Sequence, residues 1–220
     1  QHLCRQPSRY SRNGKRVVRV DPESGKQYEA AVIEEVSVPG AQDGLLGLTF
    51  HPDLLQGKDR DYVYVSYTYD DRELGADPDA VFAAPGYRYL YMKVVRFTYD
   101  AKSEKLIDPR DVITGLPAGN DHNAGRLKFG PDAKLYLTLG DQGHNQLGNY
   151  CLPIESQRLP TQTEMTARDF SSYVGKTLRL NLDGSIPRNN PELAGVVSHV
   201  YSYGHRNTQG IDFGAGGTLY

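Results

Sequence analysis

Between Gly115 and Gln146 apolar residues alternate on either side of a short turn, Pro131-Asp132-Ala133-Lys134. Leu127 and Phe129 precede the turn and Leu135, Leu137 and Leu139 follow it. A period of two on both sides of a Pro-Asp turn predicts a β-hairpin with one buried face. Pairing Phe129 with Leu135 and Leu127 with Leu137 keeps every apolar side chain on that face, and a slip of one residue would expose them all. Extended backwards, the same register brings Asp121-His122-Asn123 beside Asp141-Gln142-Gly143. Two carboxylates and an imidazole then share the open end of a rigid hairpin, which is where chemistry is expected. Strict alternation would send His122 and Asp141 to opposite faces, so they meet only if the chain leaves the strand at Asn123.

The order of signals in this region recurs. Strands are expected at Val17–Val20 and around Ala31–Val38. The first pass continues through Leu45–Phe50, the turn His51-Pro52-Asp53 and Tyr62–Tyr67, with a surface insertion at 70–86. A second pass starts with Tyr89–Tyr99 and runs through Asp111–Thr114, the hairpin and a long excursion from Asn145 to Ser172. Within it a short helix over Thr161–Phe170 is expected, capped by Thr161 or Thr163. A third pass holds Thr177–Leu180, the turn Asp183-Gly184, Val196–Tyr203, Gly210–Phe213 and Thr218–Tyr220. Arg19, Arg96 and Arg179 occupy the same place in successive copies, as do Phe50, Phe129 and Phe213, at intervals of roughly 80 residues.

Four strands per copy with variable loops predict an all-β fold, a β-propeller, with a β-sandwich as the alternative. Sixteen tyrosines, 23 glycines and 13 prolines suit a turn-rich β chain. The 220 residues 1–220 are read as one partial propeller of about three blades' worth of strands, starting on the last two strands of one blade. Three blades are too few to close a ring, so a piece of a longer protein is expected. A net charge of −2 with interspersed signs gives no footprint for nucleic acid, and no apolar run is long enough to span a membrane. Cys4 and Cys151 are left open as free or bridged.

In a propeller the first strand of each blade lines the channel and the loop before it lies on the rim. Counting back from the three equivalent phenylalanines reaches Gln42-Asp43, Asp121-His122 and His205-Arg206. These polar loops are expected side by side at one mouth, a ring of donors and acceptors that includes the His122 imidazole and is suited to a polar small molecule. An imidazole oriented by the Asp141 carboxylate is a competent general base. His51 reads as a turn residue, His144 as a loop residue and His199 as a strand residue. None has zinc-ligand spacing, so no metal ligand is assigned, and Asn181–Gly184 reads as a turn. No dinucleotide fingerprint or nucleophile elbow is present.

Longer motifs carry a resemblance. Gly44-Leu45-Leu46-Gly47 with Phe50-His51-Pro52-Asp53, Gly140-Asp141-Gln142-Gly143-His144-Asn145-Gln146, Leu178 to Pro187 and Gly204 to Gly210 resemble the soluble pyrroloquinoline-quinone (PQQ)-dependent glucose dehydrogenases and the related aldose sugar dehydrogenases. The likeness runs from about Arg16 to Tyr220. It implies a six-bladed propeller with PQQ and calcium at the top of the channel. It implies His122 as the base taking the proton of the sugar C1 hydroxyl, with hydride passing to C5 of the quinone and the lactone as product. Asp141 would orient His122, Gln42 and Asp121 would contact the sugar, and Arg206 would hold the reacting end of the quinone. Asn207, Gln209 and Gln146 would line the cofactor pocket, and the calcium ligands would fall beyond the position of Tyr220. Thr208 departs from the family, where proline is usual. A sugar substrate, an external electron acceptor and a periplasmic or secreted location are expected, with a homodimer allowed. An extracellular, non-catalytic propeller module, or an inactive piece of the enzyme, is the alternative.

Overall fold

In a computed structural model the described residues are 14–40, 42–76, 87–143 and 154–220. Strands β1 (Arg16–Val20) and β2 (Gln27–Val32) form a hairpin. Its turn is closed by Asp21, whose Oδ1 accepts from the backbone N–H groups of Glu23 and Ser24. Strands β3 (Leu45–Phe50), β4 (Tyr62–Asp70), β5 (Leu90–Asp100) and β6 (Lys105–Pro117) then build a four-stranded antiparallel meander. A second meander joins β7 (Ala124–Phe129), β8 (Leu135–Leu139) and β9 (Lys176–Leu180) to β12 (Val200–Tyr203). Its last connection carries a small hairpin of β10 (Glu192–Leu193) and β11 (Val196–Val197). The described chain ends as a new hairpin opens, with Phe213 bridged to Leu219. Two whole four-stranded blades, flanked by two strands of each neighbour, make this part of an all-β β-propeller.

The first meander is buried on both faces, and its sequence shows why. Along β4, Val63, Val65, Tyr67 and Tyr69 pack towards β1 and β2, against Val17, Ala30 and Ile33. Tyr64 points the other way, into a core shared with Leu127, Leu135, Leu137, Leu139, Leu178 and Leu180 of the second meander. Each leucine buried in this way contributes roughly 1.5–3 kcal/mol. Phe129 pairs with Leu135 and Leu127 with Leu137, the register expected from the alternation.

The repeated aromatics mark the blade boundaries. Phe129, at the end of one first strand, meets Tyr64 of the preceding blade edge-on at 5.4 Å. Phe213 meets Tyr136, the equivalent of Tyr64, at 4.9 Å. The repeated arginines all lie in third strands but find different partners: Arg179 pairs with Asp132 at 2.7 Å, Arg96 stacks over Tyr62 and Arg19 over Tyr28.

Two expected strands are corrected. The strand around Ala31–Val38 stops at Val32, because Glu35 is drawn to Lys93 Nζ at 2.8 Å and to the Tyr67 hydroxyl, so the chain turns and only Val36 pairs again, with Tyr69. The strand over Val196–Tyr203 is broken at Ser198-His199, where Asn190 donates its side-chain amide to the carbonyls of Ser198 and Arg179. The expected helix is α1 (Gln162–Ala167), and Thr161 caps it reciprocally with Glu164. Cys4, Cys151, His144, Gln146 and much of the 70–86 insertion lie outside the described residues.

Candidate active site

The site is set by where β7 begins. The strand starts at Ala124, and His122 (φ 49°) and Ala124 (φ 57°) both take left-handed backbone conformations. That pair of reversals breaks the period of two, and a bulge between Ala124 and Leu127 absorbs the extra residue. The His122 ring is thereby turned to the side of Asp141, with Nδ1 2.6 Å from Asp141 Oδ1. Both residues are buried. The condition that alternation imposed, departure from the strand at Asn123, is met.

Asp141 is itself held. Its Oδ1 also accepts from the Gly143 N–H at 3.0 Å, and its own N–H donates to the Arg206 carbonyl at 2.7 Å. A carboxylate oxygen fixed in this way accepts the Nδ1 proton of a neutral imidazole and leaves Nε2 with the lone pair. Nε2 lies 3.8 Å from Asp121 Oδ1, on the rim.

Gln42 joins the rim loops of three successive blades. Its Nε2 donates to Asp121 Oδ1 at 2.5 Å, and its Oε1 accepts from the His122 N–H at 3.2 Å and from Asn207 Nδ2 at 3.4 Å. Asn123, the last residue of the expected rim loop, locks the loop beneath: its Nδ2 donates to the carbonyls of Gln42 and Gly119, both at 2.6 Å. Beside this ring a cavity of about 220 Å³ opens between Gln42, Leu46, Ala124, Arg126 and Gln209.

Of the residues expected at the site, Gln42, Asp121, His122, Asp141 and Asn207 form one bonded group. Arg206 joins it through its carbonyl, with an exposed side chain, and Gln209 lies at the cavity with its carbonyl bonded to Arg126 Nε at 2.7 Å. Gln146 lies outside the described residues. Among the described residues, His51, His199 and His205 have structural partners, the last with Ser202 Oγ at 2.8 Å from its Nε2. His199 donates from Nε2 to the Gly184 carbonyl and accepts from Tyr173, and burial holds its pKa below the usual value. His51, lowered likewise by burial, accepts from the Asp53 N–H and packs on Phe129.

Behind the rim sits Lys176, fully buried, its Nζ donating to the carbonyls of Glu155, Ser156 and Val174 at 3.1, 2.9 and 2.7 Å. The Ser156 carbonyl also accepts from Gly204, which leads into His205-Arg206. Burial, with Arg158 nearby, pushes the Lys176 pKa down to about 8, and Glu155 opposes this. The folded ammonium is therefore more acidic than the same group in the unfolded chain, near 10.5. Between about 8 and 10.5 the unfolded chain holds more protons, so this group's contribution to stability rises with pH. Denaturation midpoints of wild type should climb relative to Lys176→Met across that window; parallel curves would contradict the assignment.

Comparison with known proteins places the chain in a family. The family described as Glucose / Sorbosone dehydrogenase matches residues 11–220. The chain is 43% identical over 210 residues to quinoprotein glucose dehydrogenase B of Acinetobacter calcoaceticus, covering 93% of this chain and 40% of that protein. The PQQ-bound aldose sugar dehydrogenase of Streptomyces coelicolor superposes with a TM-score of 0.66 at 32% identity, covering 95% of this chain and 50% of that one. Hedgehog-interacting protein of Homo sapiens is 30% identical over 163 residues, covering 69% of this chain and 19% of that protein. The chain thus spans half or less of the length of these relatives.

Proposed function

The chain belongs to the glucose/sorbosone dehydrogenase family, and from that premise we propose that it carries the acid–base part of a PQQ-dependent aldose dehydrogenase site. The observation that carries the reading is the buried 2.6 Å contact between His122 and Asp141 at a rim of polar side chains. A binding module has no need of an imidazole whose proton is assigned by a carboxylate.

His122 Nε2 takes the proton of the sugar C1 hydroxyl, while Asp141 holds the ring and balances the imidazolium that forms. Gln42 and Asp121 present an amide and a carboxylate to the sugar hydroxyls, pre-oriented by their mutual bond. The residues present also fit one side of the cofactor. Asn207 Oδ1 is buried without a hydrogen-bond partner, so a polar group placed against it would satisfy it. Arg206 and Asn207, with Gln209 and Gln146, would hold the quinone, the guanidinium countering negative charge on its oxygen. The chemistry supplied by a bound quinone is two-electron acceptance, so the aldose leaves as the lactone once its C1 hydride and hydroxyl proton have gone. Calcium is part of the reading through the resemblance alone: among the described residues no three His, Cys, Asp or Glu side chains converge to hold a metal, and no step is assigned to it.

An external acceptor would reoxidise the cofactor, in a periplasmic or secreted setting and with a homodimer left open. Among the described residues no helix is long and apolar enough to cross a membrane. The test is to titrate PQQ and calcium into this chain, and into a longer protein containing it, then add glucose and follow the quinone absorbance. Glucose-dependent bleaching in either supports the reading. Absence of quinone binding by both would overturn it in favour of a binding module, the alternative suggested by a relative named for its interaction with Hedgehog.

A further inference from the structure

The second strands carry a hydroxyl where an apolar side chain would be expected. In β4 it is Ser66, two residues after Tyr64; in β8 it is Thr138, two residues after Tyr136. Tyr64 and Tyr136 make the equivalent inter-blade aromatic contacts, so Ser66 and Thr138 are the same position in successive copies. Both are fully buried, and a buried hydroxyl left without a partner is costly. Each finds its acceptor in the next blade. Ser66 Oγ donates to the Gly125 carbonyl at 2.5 Å, and Thr138 Oγ1 donates to the Thr208 carbonyl at 2.8 Å.

We propose that Ser66 and Thr138 are positioning residues of the candidate site, each donating a buried hydroxyl across the blade boundary and so fixing the backbone that carries His122 or Arg206 into place. Gly125 stands three residues after His122, and Thr208 two after Arg206.

The surroundings are built for these contacts. The bulge in β7 leaves the Arg126 N–H without a ladder partner, and Thr138 Oγ1 accepts it at 3.0 Å. Arg126 in turn reaches forward from Nε to the Gln209 carbonyl. With Asp141 N–H on the Arg206 carbonyl, three carbonyls between 206 and 209 are held from the preceding blade. In the first blade the position matching Arg126 is Gly47, also beside a bulge. A Cβ there would stand 2.2 Å from the Gly125 carbonyl oxygen and 2.8 Å from Ser66 Oγ, so glycine is what lets the two meet.

The inference rests on the reading of His122 and Arg206 as working groups, and its test separates the two. In protein containing this chain, the downfield proton resonance of His122 Nδ1–H is assigned by its loss in His122→Ala and then followed in Ser66→Ala. Quinone affinity and the kcat and KM for glucose are measured for Thr138→Val and Thr138→Ser. We expect the resonance to shift or broaden in Ser66→Ala. Thr138→Val should weaken quinone binding about tenfold, with the sugar KM little changed and Thr138→Ser restoring affinity. If Thr138→Val does not fold, Thr138→Ala takes its place. Variants that lose only thermal stability, with the resonance and quinone affinity of wild type, would reduce both hydroxyls to packing and overturn the proposal. If wild type binds no quinone, the functional reading fails and the resonance in Ser66→Ala alone decides the matter.

Discussion

His122→Ala is expected to lower kcat for glucose by about 10²–10⁴-fold while leaving the circular dichroism of the fold unchanged. On the proposed reading, the size follows from removing the one imidazole that the described residues bond into the rim group and leaving the C1 hydroxyl proton to water. Asp141→Asn is expected to lose less, about tenfold to a hundredfold. The reason lies in Asp141 Oδ1, which accepts from both His122 Nδ1 and the Gly143 N–H. The Gly143 N–H cannot bond to an amide nitrogen, so it keeps the asparagine oxygen in place, and the imidazole tautomer with it. What is lost is the negative charge that balances the imidazolium. Asp141→Ala removes charge and orientation together and should approach His122→Ala. Steady-state kinetics on the three variants check the order. A His122→Ala protein that oxidises glucose at the wild-type rate would remove the base from the mechanism, and equal losses in Asp141→Asn and Asp141→Ala would give the whole effect to charge.

The sequence shows most clearly what depends on short-range periodicity. The hairpin of β7 and β8 was readable to its register because Leu127, Phe129, Leu135, Leu137 and Leu139 leave one face available to the core. The blade repeat was readable because Phe129 and Phe213 must each meet a tyrosine of the preceding blade. Where tertiary partners override the period, the pattern misleads. Ile33 and Val36 look like strand residues and are buried, but the bonds of Glu35 to Lys93 and Tyr67 end the ladder between them. The meeting of His122 with Asp141 was conditional for the same reason: it needs left-handed backbone at His122 and Ala124, and neither residue type announces that. Asn123 was legible as a rim-loop residue, but its tie of Gln42 to Gly119 was not. Ser66 and Thr138 did give one, a hydroxyl two residues beyond the repeated tyrosine, visible only once the copies are aligned by their aromatics.

The same backbone reversal predicts a severely damaging small substitution at Gly140. Gly140→Ala would place a Cβ 1.7 Å from the His122 carbonyl oxygen, 2.6 Å from its carbon and 3.2 Å from the Arg206 carbonyl oxygen. None of these is the end of a flexible side chain. The His122 N–H is bonded to Asp121 and Gln42, and the Arg206 carbonyl is bonded to the Asp141 N–H. Gly140 is pinned in turn, its carbonyl accepting from the Gly175 N–H at 2.8 Å. The methyl group can be admitted only by pulling the His122 loop away from β8, which would also separate His122 from Asp141. A loss of about 3 kcal/mol or more in denaturant unfolding is expected, together with loss of the His122 Nδ1–H resonance in whatever fraction still folds. Gly210→Ala is the control, since a Cβ there meets nothing within 4 Å, and it should stay within about 0.5 kcal/mol of wild type. Equal midpoints for the two variants would mean that the close approach of Gly140 to His122 is not a feature of the folded protein, and the geometry assigned to the base would fall with it.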